Sequence, residues 1–469
     1  MNSARNGVLA ILILASNGCG GGGGGEDSPR TYAIGARIDG LVGSRLALSN
    51  NGVSVAVAPG SNGRVAGVYS GLANGASYDV TVAAQPTNPA QTCVVANGKG
   101  TIASADADVS ITCTTTPARH LLVQPKYTAA GASDFCIRAS SIDGASGSLA
   151  APNGSPCGPR PASDDGNYVG GAPIGPMVVH PQSNFVYMSI IQGRFGCHCR
   201  FAIDGDSGIV SFVQGQAILH PSSVAVHPSG QFIFFSSSGL QAEGHVSTYS
   251  VAASSGALTF SSRFDLDNTY ARDVTADPLG RFVYAIFSNE TYSSTQVVSL
   301  AVDSTTGALS RLAAPVTVTG DVLAPHPSGK FLYVAENESA IAAFKVDSTT
   351  GALTPVSGSP FILANGSTLS AAAIDPNGNY LYALDSTSSN VFAYAIDRNS
   401  GQLAAINGSP FATGHSPLSV AIEPQGRFVY VSNDVGVSAY AIDSANGALT
   451  PISGSPFELG IGGKIAFSY

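Results

Sequence analysis

The 469-residue sequence is poor in charge and in helix-forming residues. Only 11% of the residues are charged, and the net charge is −9 because 30 acidic side chains outnumber 21 basic ones. A nucleic-acid partner needs a basic surface that pairs with phosphates, so this composition excludes that class of partner. Tryptophan is absent, and the 55 Gly and 27 Pro are the residues that disfavour helices most. With 44% apolar residues, the chain is not expected to be disordered either.

Long hydrophobic runs are also absent. No stretch approaches about 18 unbroken apolar residues, so no membrane-spanning helix is predicted. Residues 1–18 combine an early positive charge with a nine-residue apolar stretch, which is typical of a signal peptide. Small residues and Cys19 follow, and this arrangement resembles a bacterial lipoprotein signal, although Ser16 stands where that family prefers Leu. The resemblance implies membrane attachment only through a lipid on Cys19, with residues 19–30 as a Gly-rich tether; a plain secretory signal is the alternative.

The other six cysteines are an even number in a chain with an export signal, which predicts up to three disulfides. Cys93 and Cys113 lie in one N-terminal module and are expected to pair. The pairing of the other four is open: Cys136, Cys157, Cys197 and Cys199. The last two are two residues apart and would share one face of a strand. Their spacing is not that of a structural zinc site, so neither a metal nor a cofactor is expected.

Residues 31–116 are predicted to form a small β-sandwich. Short alternating or β-branched runs, such as TYAIGARI and DVSITC, are separated by Asn-Gly pairs, which supply the positive φ angles of tight hairpins. The segment resembles the immunoglobulin-like or prealbumin-like modules that bacterial surface proteins place next to an anchor. We expect it to act as a spacer.

From residue 117 to residue 469 the chain repeats. A Pro-x-Gly turn followed by an aromatic-hydrophobic-Tyr strand recurs, as in DPLGRFVYA, and its last five spacings are 47 to 50 residues. The aromatic position marks seven units: His120, Phe185, Phe232, Phe282, Phe331, Tyr380 and Phe428. Each unit also has a turn that ends in Gly, as in VDSTTG, and three units end in Gly-Ser-Pro-Phe. We expect the aromatic ring to fill the gap between neighbouring sheets.

The two ends of the repeat region predict a closed ring. Each unit carries four short strands, and a single four-stranded sheet cannot bury both of its faces alone. The first unit begins at its second strand, Arg119–Val123, whereas the last residues, Gly463–Ser468, form a lone first strand. Pairing of these segments would leave no free sheet edge. The sequence thus predicts an all-β protein, a seven-bladed β-propeller preceded by a small β-sandwich.

These repeats resemble the YVTN-type, lactonase-like seven-bladed propellers, which include 6-phosphogluconolactonases and a muconate cyclase. The resemblance covers residues 119–469 and includes GALTPV at 351–356 and the VSN that follows Tyr430. Activity in that family is ascribed to His, Arg and Glu at the starts of the inner strands, just before the Pro-x-Gly turns.

Two residues match this set. Arg272, six residues before Pro278, matches the arginine of the family, and His220 matches the first member of a His-x-His pair whose second member is replaced by Ser222. No Glu lies five residues before a turn proline, so the set is incomplete. Opening a lactone ring needs a base that activates water and a cation that stabilises the oxyanion; His220 and Arg272 are the candidates for these catalytic roles.

Three functional interpretations stay open. The first is an exported, lipid-anchored propeller of the cell envelope that binds an unknown small molecule or surface protein at its funnel. The second is an extracytoplasmic lactonase. Its substrate would be unphosphorylated, because the funnel loops hold few basic residues: Lys126, Arg194, Arg272 and Lys464. The third is a structural surface protein. Acidic loop residues could hold Ca²⁺, but no calcium-loop spacing is present.

Overall fold

The structure is a computed structural model, and its description covers part of the chain. The described residues are 30–58, 61–86, 91–116, 118–124, 134–135, 137–151, 158–159, 173–192, 195–238, 244–266, 269–289, 294–336, 339–363, 367–434, 436–459 and 462–468. The predicted signal, Cys19, the tether up to residue 29, Cys136 and Cys157 lie outside them. Two compact units meet in sequence at Thr115 and Thr116. No helix in the described part is long and apolar enough to cross a membrane.

The N-terminal unit is built from two four-stranded sheets in which most neighbouring strands run antiparallel. Its strands are β1 (Tyr32–Asp39), β2 (Ala47–Asn50), β3 (Val53–Ala56), β4 (Gly63–Leu72), β5 (Ser77–Ala84), β6 (Gln91–Ala96), β7 (Lys99–Thr101) and β8 (Ala107–Thr115). The sheet orders are β4-β1-β8-β6 and β3-β2-β5-β7, and β1 and β8 run parallel. Alternate residues of β1, such as Ile34 and Ile38, are fully buried in the core of this unit.

Two features of this unit bear on the sequence predictions. Cys93 on β6 and Cys113 on β8 face each other in register and are joined by a disulfide. Strand β4 was not expected from the sequence. It contains Gly63, Gly67 and Gly71, all at positive φ, and its pairing with β1 shifts register twice, which hides the alternating pattern of a strand.

Among the described residues the second unit contains seven larger sheets, named here blades I to VII, and a separate two-stranded sheet formed by Asp134–Phe135 and Gly158–Pro159. In chain order its strands are β9 (His120–Val123), β10 (Asp134–Phe135), β11 (Arg138–Ser141), β12 (Gly158–Pro159), β13 (Pro173–Val179), β14 (Phe185–Gln192), β15 (Phe195–Ile203), β16 (Val210–Leu219), β17 (Pro221–Val226), β18 (Phe232–Ser237), β19 (His245–Val251), β20 (Leu258–Asp265), β21 (Thr269–Ala276), β22 (Phe282–Asn289), β23 (Thr295–Val302), β24 (Leu309–Arg311), β25 (Val316–Val318), β26 (Gly320–Pro325), β27 (Phe331–Glu336), β28 (Ala340–Val346), β29 (Leu353–Pro355), β30 (Phe361–Ile362), β31 (Leu369–Ile374), β32 (Tyr380–Asp385), β33 (Asn390–Ile396), β34 (Leu403–Ala405), β35 (Phe411–Ala412), β36 (Ser419–Ile422), β37 (Phe428–Ser432), β38 (Val437–Ile442), β39 (Leu449–Pro451) and β40 (Ile465–Ser468).

Blades II to VII are antiparallel meanders. Their strand orders are β13-β14-β15-β16, β17-β18-β19-β20, β21-β22-β23-β24, β26-β27-β28-β29, β31-β32-β33-β34 and β36-β37-β38-β39. The first strand of each blade contacts the first strands of the two neighbouring blades, and the cycle closes through β40, which touches both β36 and β13. Seven first strands therefore surround one axis.

The two ends of the repeat region pair and close the ring, as the sequence predicted. In blade I the order is β11-β9-β40, so the last strand of the chain completes the first sheet. Strand β40 pairs antiparallel with β9, with Ile465 opposite Val123 and Ser468 opposite His120. The amide of Gln124 also donates to the carbonyl of Lys464, at 2.9 Å.

The two repeat markers meet between neighbouring blades. The Gly that ends the marker turn of each unit lies at positive φ, and a Cβ there would come within 3.0 Å of the aromatic marker of the preceding blade. The pairs, in ring order, are His120 with Gly208, Phe185 with Gly256, Phe232 with Gly307, Phe282 with Gly351, Phe331 with Gly401, Tyr380 with Gly447 and Phe428 with Gly147. The aromatic marker thus packs between blades, as predicted, and the Gly marker leaves room for its ring.

Hydrogen bonds at the same level join one blade to the next. Two residues after the aromatic marker, a buried Tyr hydroxyl donates to the carbonyl of the next blade's marker Gly: Tyr187 to Gly256, Tyr333 to Gly401, Tyr382 to Gly447 and Tyr430 to Gly147, at 2.8 to 2.9 Å. The bond from Tyr430 crosses the closure between blades VII and I.

Candidate functional site in the axial channel

The inner strands share a backbone irregularity near their starts. In blades III to VI the pairing of the first two strands skips one residue, which is a β-bulge. The skipped residues all lie six positions before the proline of the Pro-x-Gly turn: Ser222, Arg272, Asp321 and Ser370. A bulge changes the direction in which a side chain points, and bulges are frequent next to functional sites.

Arg272 forms an ion pair at this level. Its Nη2 donates to Oδ2 of Asp321, the bulge residue of the next blade. The two side chains are 36% and 30% exposed, so the pair is partly shielded from solvent. The predicted cation is therefore on an inner strand, as expected, but it has a carboxylate partner that sequence reasoning did not identify.

Asp273 is the residue that the sequence analysis missed. It lies five positions before Pro278, the position at which a Glu was sought and not found. Its Oδ1 accepts hydrogen bonds from Ser223 Oγ on blade III, at 2.7 Å, and from the amide of Val274, at 2.9 Å. Its Oδ2 accepts from the amide of Leu323 on blade V, at 3.3 Å. The carboxylate is thus held by three consecutive blades, and a search that allowed Asp as well as Glu would have found it.

Lys464 is a charged residue at the innermost strand of another blade. It directly precedes β40 of blade I, three blades away from β21, which carries Asp273. Burial raises the pKa of Asp273, and the charge of Lys464 and the three hydrogen bonds act in the opposite direction. Burial likewise lowers the pKa of Lys464, against the effect of Asp273. Both residues belong to the innermost strands of the ring, since Asp273 lies on the first strand β21 and Lys464 directly precedes the first strand β40.

His220 lies just before β17 of blade III and is half-buried. It has a positive φ of 47°, and its carbonyl accepts hydrogen bonds from Ser237 Oγ and the Ser238 amide. Ser238 Oγ donates in turn to the carbonyl of Ala271, next to Arg272. The described contacts give His220 a backbone role at the blade III–IV junction, and its role as a base stays a prediction.

The other predicted loop charges do not form an ion site in the described residues. Lys126 and Arg194 lie outside the described ranges. No group of three or more His, Cys, Asp or Glu side chains that could hold a metal occurs in the parts of the chain that are described. Asp434, for example, pairs with His415.

The site can perform acid–base chemistry. A carboxylate with a raised pKa can accept a proton from water, and a nearby ammonium or guanidinium group can stabilise an oxyanion. Asp273, Lys464 and Arg272 supply these groups on or next to the first strands of blades I and IV. The arrangement defines a seven-bladed propeller with a group of polar and charged side chains on its inner strands.

The chain belongs to the family described as "Lactonase, 7-bladed beta-propeller". The family's sequence model matches residues 209–325 and 322–466, which together span more than half of the chain. No curated protein matches the sequence.

Solved structures of similar fold include the periplasmic gluconolactonase PpgL of Pseudomonas aeruginosa, at 20% identity and a TM-score of 0.59, covering 75% of this chain and 99% of that one. A protein from Lactobacillus plantarum is similar at 18% identity and a TM-score of 0.60, over 75% of this chain and 100% of that one. At these identities the likeness establishes the propeller fold.

Proposed function

We propose that the axial channel binds a small lactone and hydrolyses its ring ester. The observation that carries this proposal is the carboxylate of Asp273, held by hydrogen bonds from three consecutive blades. The family to which the chain belongs is consistent with it.

In the proposed reaction Asp273 acts as the base. Among the described contacts its Oδ2 accepts one hydrogen bond, from the Leu323 amide, which leaves a lone pair for a water molecule. Asp273 removes a proton from that water while the water oxygen attacks the lactone carbonyl. Lys464 or Arg272 stabilises the resulting oxyanion. The ring C–O bond then breaks, and the leaving oxygen takes the proton from Asp273, which gives a hydroxy acid.

The charges of the channel favour an uncharged substrate. Arg272 is paired with Asp321, and the negative charge of Asp273 acts on Lys464, so each of these cations is offset by a carboxylate. A phosphorylated sugar lactone would need additional positive charge, since phosphate recognition relies on several basic groups or a bidentate Arg. We therefore infer an unphosphorylated lactone.

We also propose that the protein acts outside the cytoplasm, attached by a lipid on Cys19. The signal-like sequence of residues 1–18 supports this, and the structurally similar PpgL is a periplasmic protein. Mass spectrometry of the mature protein is expected to show a diacylated Cys19 as the N-terminal residue. An N-terminus elsewhere with an unmodified chain would contradict the lipid anchor.

A ligand-binding propeller without catalysis is the second candidate, because the Arg272–Asp321 pair engages the predicted cation. Such a protein would bind lactones or sugars at the channel and turn none of them over.

A hydrolysis assay separates the two candidates. The wild-type protein and its Asp273→Asn variant are compared on a panel of uncharged lactones, with Asp265→Asn as the control. Asp265 is an exposed carboxylate on the outer strand of blade III, paired with Arg263. Loss of a general base costs about 10²–10⁴-fold in rate, so Asp273→Asn is expected to lose at least about 100-fold and Asp265→Asn none. Binding without turnover by the wild type would support the binding propeller, and equal turnover by both variants would exclude Asp273 as the base.

A further inference from the structure

The face of blade II that packs against blade III carries buried polar side chains away from the axial channel. His198 and Arg200 lie two residues apart on β15, the third strand of the blade, and are 1% and 8% exposed. The His198 ring stacks on Phe235 of blade III, with ring centroids 3.6 Å apart and planes at 9°. It also meets Tyr249 edge-on, at 5.8 Å. Packing against blade III therefore fixes the orientation of the imidazole.

These buried groups have unused hydrogen-bonding capacity. Neither ring nitrogen of His198 has a hydrogen-bond partner in the described structure, and neither do Nε and Nη1 of Arg200. Arg200 makes one long hydrogen bond, from Nη2 to Gln214 Oε1 at 3.4 Å, and its guanidinium carbon lies 5.8 Å from the centroid of the Phe185 ring. Among the described ion pairs, none involves Arg200. Buried polar groups are nearly always paired, and an unpaired donor is unfavourable, so these atoms point to a ligand.

A cavity adjoins the unpaired atoms. It has a volume of about 140 Å³ and is lined by His198, Arg200, Gln214, Gln216 and Leu258. Gln216 and Gln214 are the register partners of His198 and Arg200 on β16, the outermost strand of blade II. Both glutamines are exposed, so the cavity lies toward the outside of the ring rather than at the axis.

The donors of this cavity select the ligand. Arg200 brings one positive charge and a planar set of donors that suits a carboxylate. Burial lowers the pKa of His198 well below its ordinary value, and the positive charge of a protonated His245 acts in the same direction, so the imidazole adds a neutral donor and no second charge. One cation matches a monovalent anion better than a phosphate dianion. Leu258 offers an apolar surface to a short side chain.

We propose that this interblade pocket binds a small monocarboxylate, held by Arg200 and His198 and closed on its outer side by Gln214 and Gln216. The site is separate from the lactone-hydrolysing channel and does not depend on it.

The test uses the full-length protein with sodium acetate and sodium propionate as probes, and sodium chloride and sodium sulfate at matched ionic strength as controls. Binding is measured by calorimetry and by the ¹⁵N shifts of the His198 imidazole. Arg200→Gln removes the charge, and Arg263→Gln, an exposed Arg on blade III, is the matched control. We expect carboxylate binding by the wild type and by Arg263→Gln, and at least a tenfold weaker affinity in Arg200→Gln.

Two further readouts keep the test decisive. Without carboxylate, the melting temperature of Arg200→Gln should be equal to or above that of the wild type, because a buried charge without a partner is removed. Acetate should also perturb the His198 shifts in Asp273→Asn, which separates the pocket from the axial site. Unchanged His198 shifts in the wild type, equal acetate affinity in Arg200→Gln, or sulfate binding as tight as acetate would each overturn the proposal.

Discussion

Replacing Tyr430 by Phe removes one hydroxyl from the contact that closes the ring. The Tyr430 hydroxyl is fully buried and donates to the carbonyl of Gly147, so this bond joins the last blade to the first. Tyr284 provides a matched control at the same repeat position, six residues after the proline of the turn. It is 1% exposed, and its hydroxyl has no hydrogen-bond partner in the described structure. Both substitutions delete a buried hydroxyl from the same position of the repeat.

The expected effects differ in sign. In Tyr430→Phe the buried Gly147 carbonyl loses its donor, which costs about 1–3 kcal/mol of unfolding free energy. In Tyr284→Phe an unsatisfied buried hydroxyl is removed, so the unfolding free energy should stay equal or rise by about 1 kcal/mol. Phe234 already occupies this repeat position in blade III, so the site tolerates a ring without a hydroxyl.

Urea unfolding followed by circular dichroism and tyrosine fluorescence measures both variants against the wild type. The chain has no tryptophan, so its 17 tyrosines give the intrinsic signal. A midpoint that falls for Tyr430→Phe and holds or rises for Tyr284→Phe supports the assignment. Equal losses in the two variants would refute it, because packing alone would then account for the effect.

Two further perturbations test the interblade contacts. Gly401 has a φ of +79°, and a Cβ added there would lie 2.5 Å from the Phe331 ring. Gly408 has a φ of +87°, but a Cβ added there would lie 3.5 Å from its nearest neighbour, the Phe411 ring. Both Ala substitutions carry the conformational cost of a non-Gly residue at positive φ, about 1–2 kcal/mol of unfolding free energy. Gly401→Ala should lose about 1–3 kcal/mol more than Gly408→Ala, measured by thermal unfolding, because its Cβ also clashes with the ring. Equal losses in the two variants would contradict the packing role. Nδ1 of the buried His326 accepts a hydrogen bond from the Ser328 amide, and Nε2 donates one to the carbonyl of Gly378 on the next blade. Burial lowers the pKa of His326 below its ordinary value of 6.5. Because the unfolded chain then takes up the proton first, the contribution of His326 to the unfolding free energy should be full above about pH 6.5. Below about pH 6.5 the unfolding free energy should fall by up to about 1.4 kcal/mol per pH unit. The His326→Gln variant should show a smaller slope of unfolding free energy against pH, and an unchanged slope would contradict the assignment.

The propeller could be predicted from the sequence because each repeat marker has the same structural role from blade to blade. The Pro-x-Gly turn, the aromatic ring and the Gly that makes room for it each have one place in the unit, and the lone final strand has one partner. Strand β4 escaped prediction because glycines at positive φ interrupt its alternation.

The site was harder to predict because it depends on neighbours in space. Arg272 could be found by its distance from Pro278, and so could Asp273 once Asp is allowed at that position. The partnership of Arg272 with Asp321 follows from bulges on two adjacent blades, which no local pattern indicates. The pocket at His198 depends on which face of β15 meets blade III, and that is decided only when the ring is assembled.

Pairing of β40 with β9 closes the ring, and hydrogen exchange measures this pairing directly. The amides of Arg119 and Gln124 donate to the carbonyls of Ser468 and Lys464, both at 2.9 Å. In the intact protein they should exchange as slowly as core amides, and in a chain ending at residue 462 they should lose that protection. Fast exchange in the intact protein, or protection that survives the truncation, would contradict the closure.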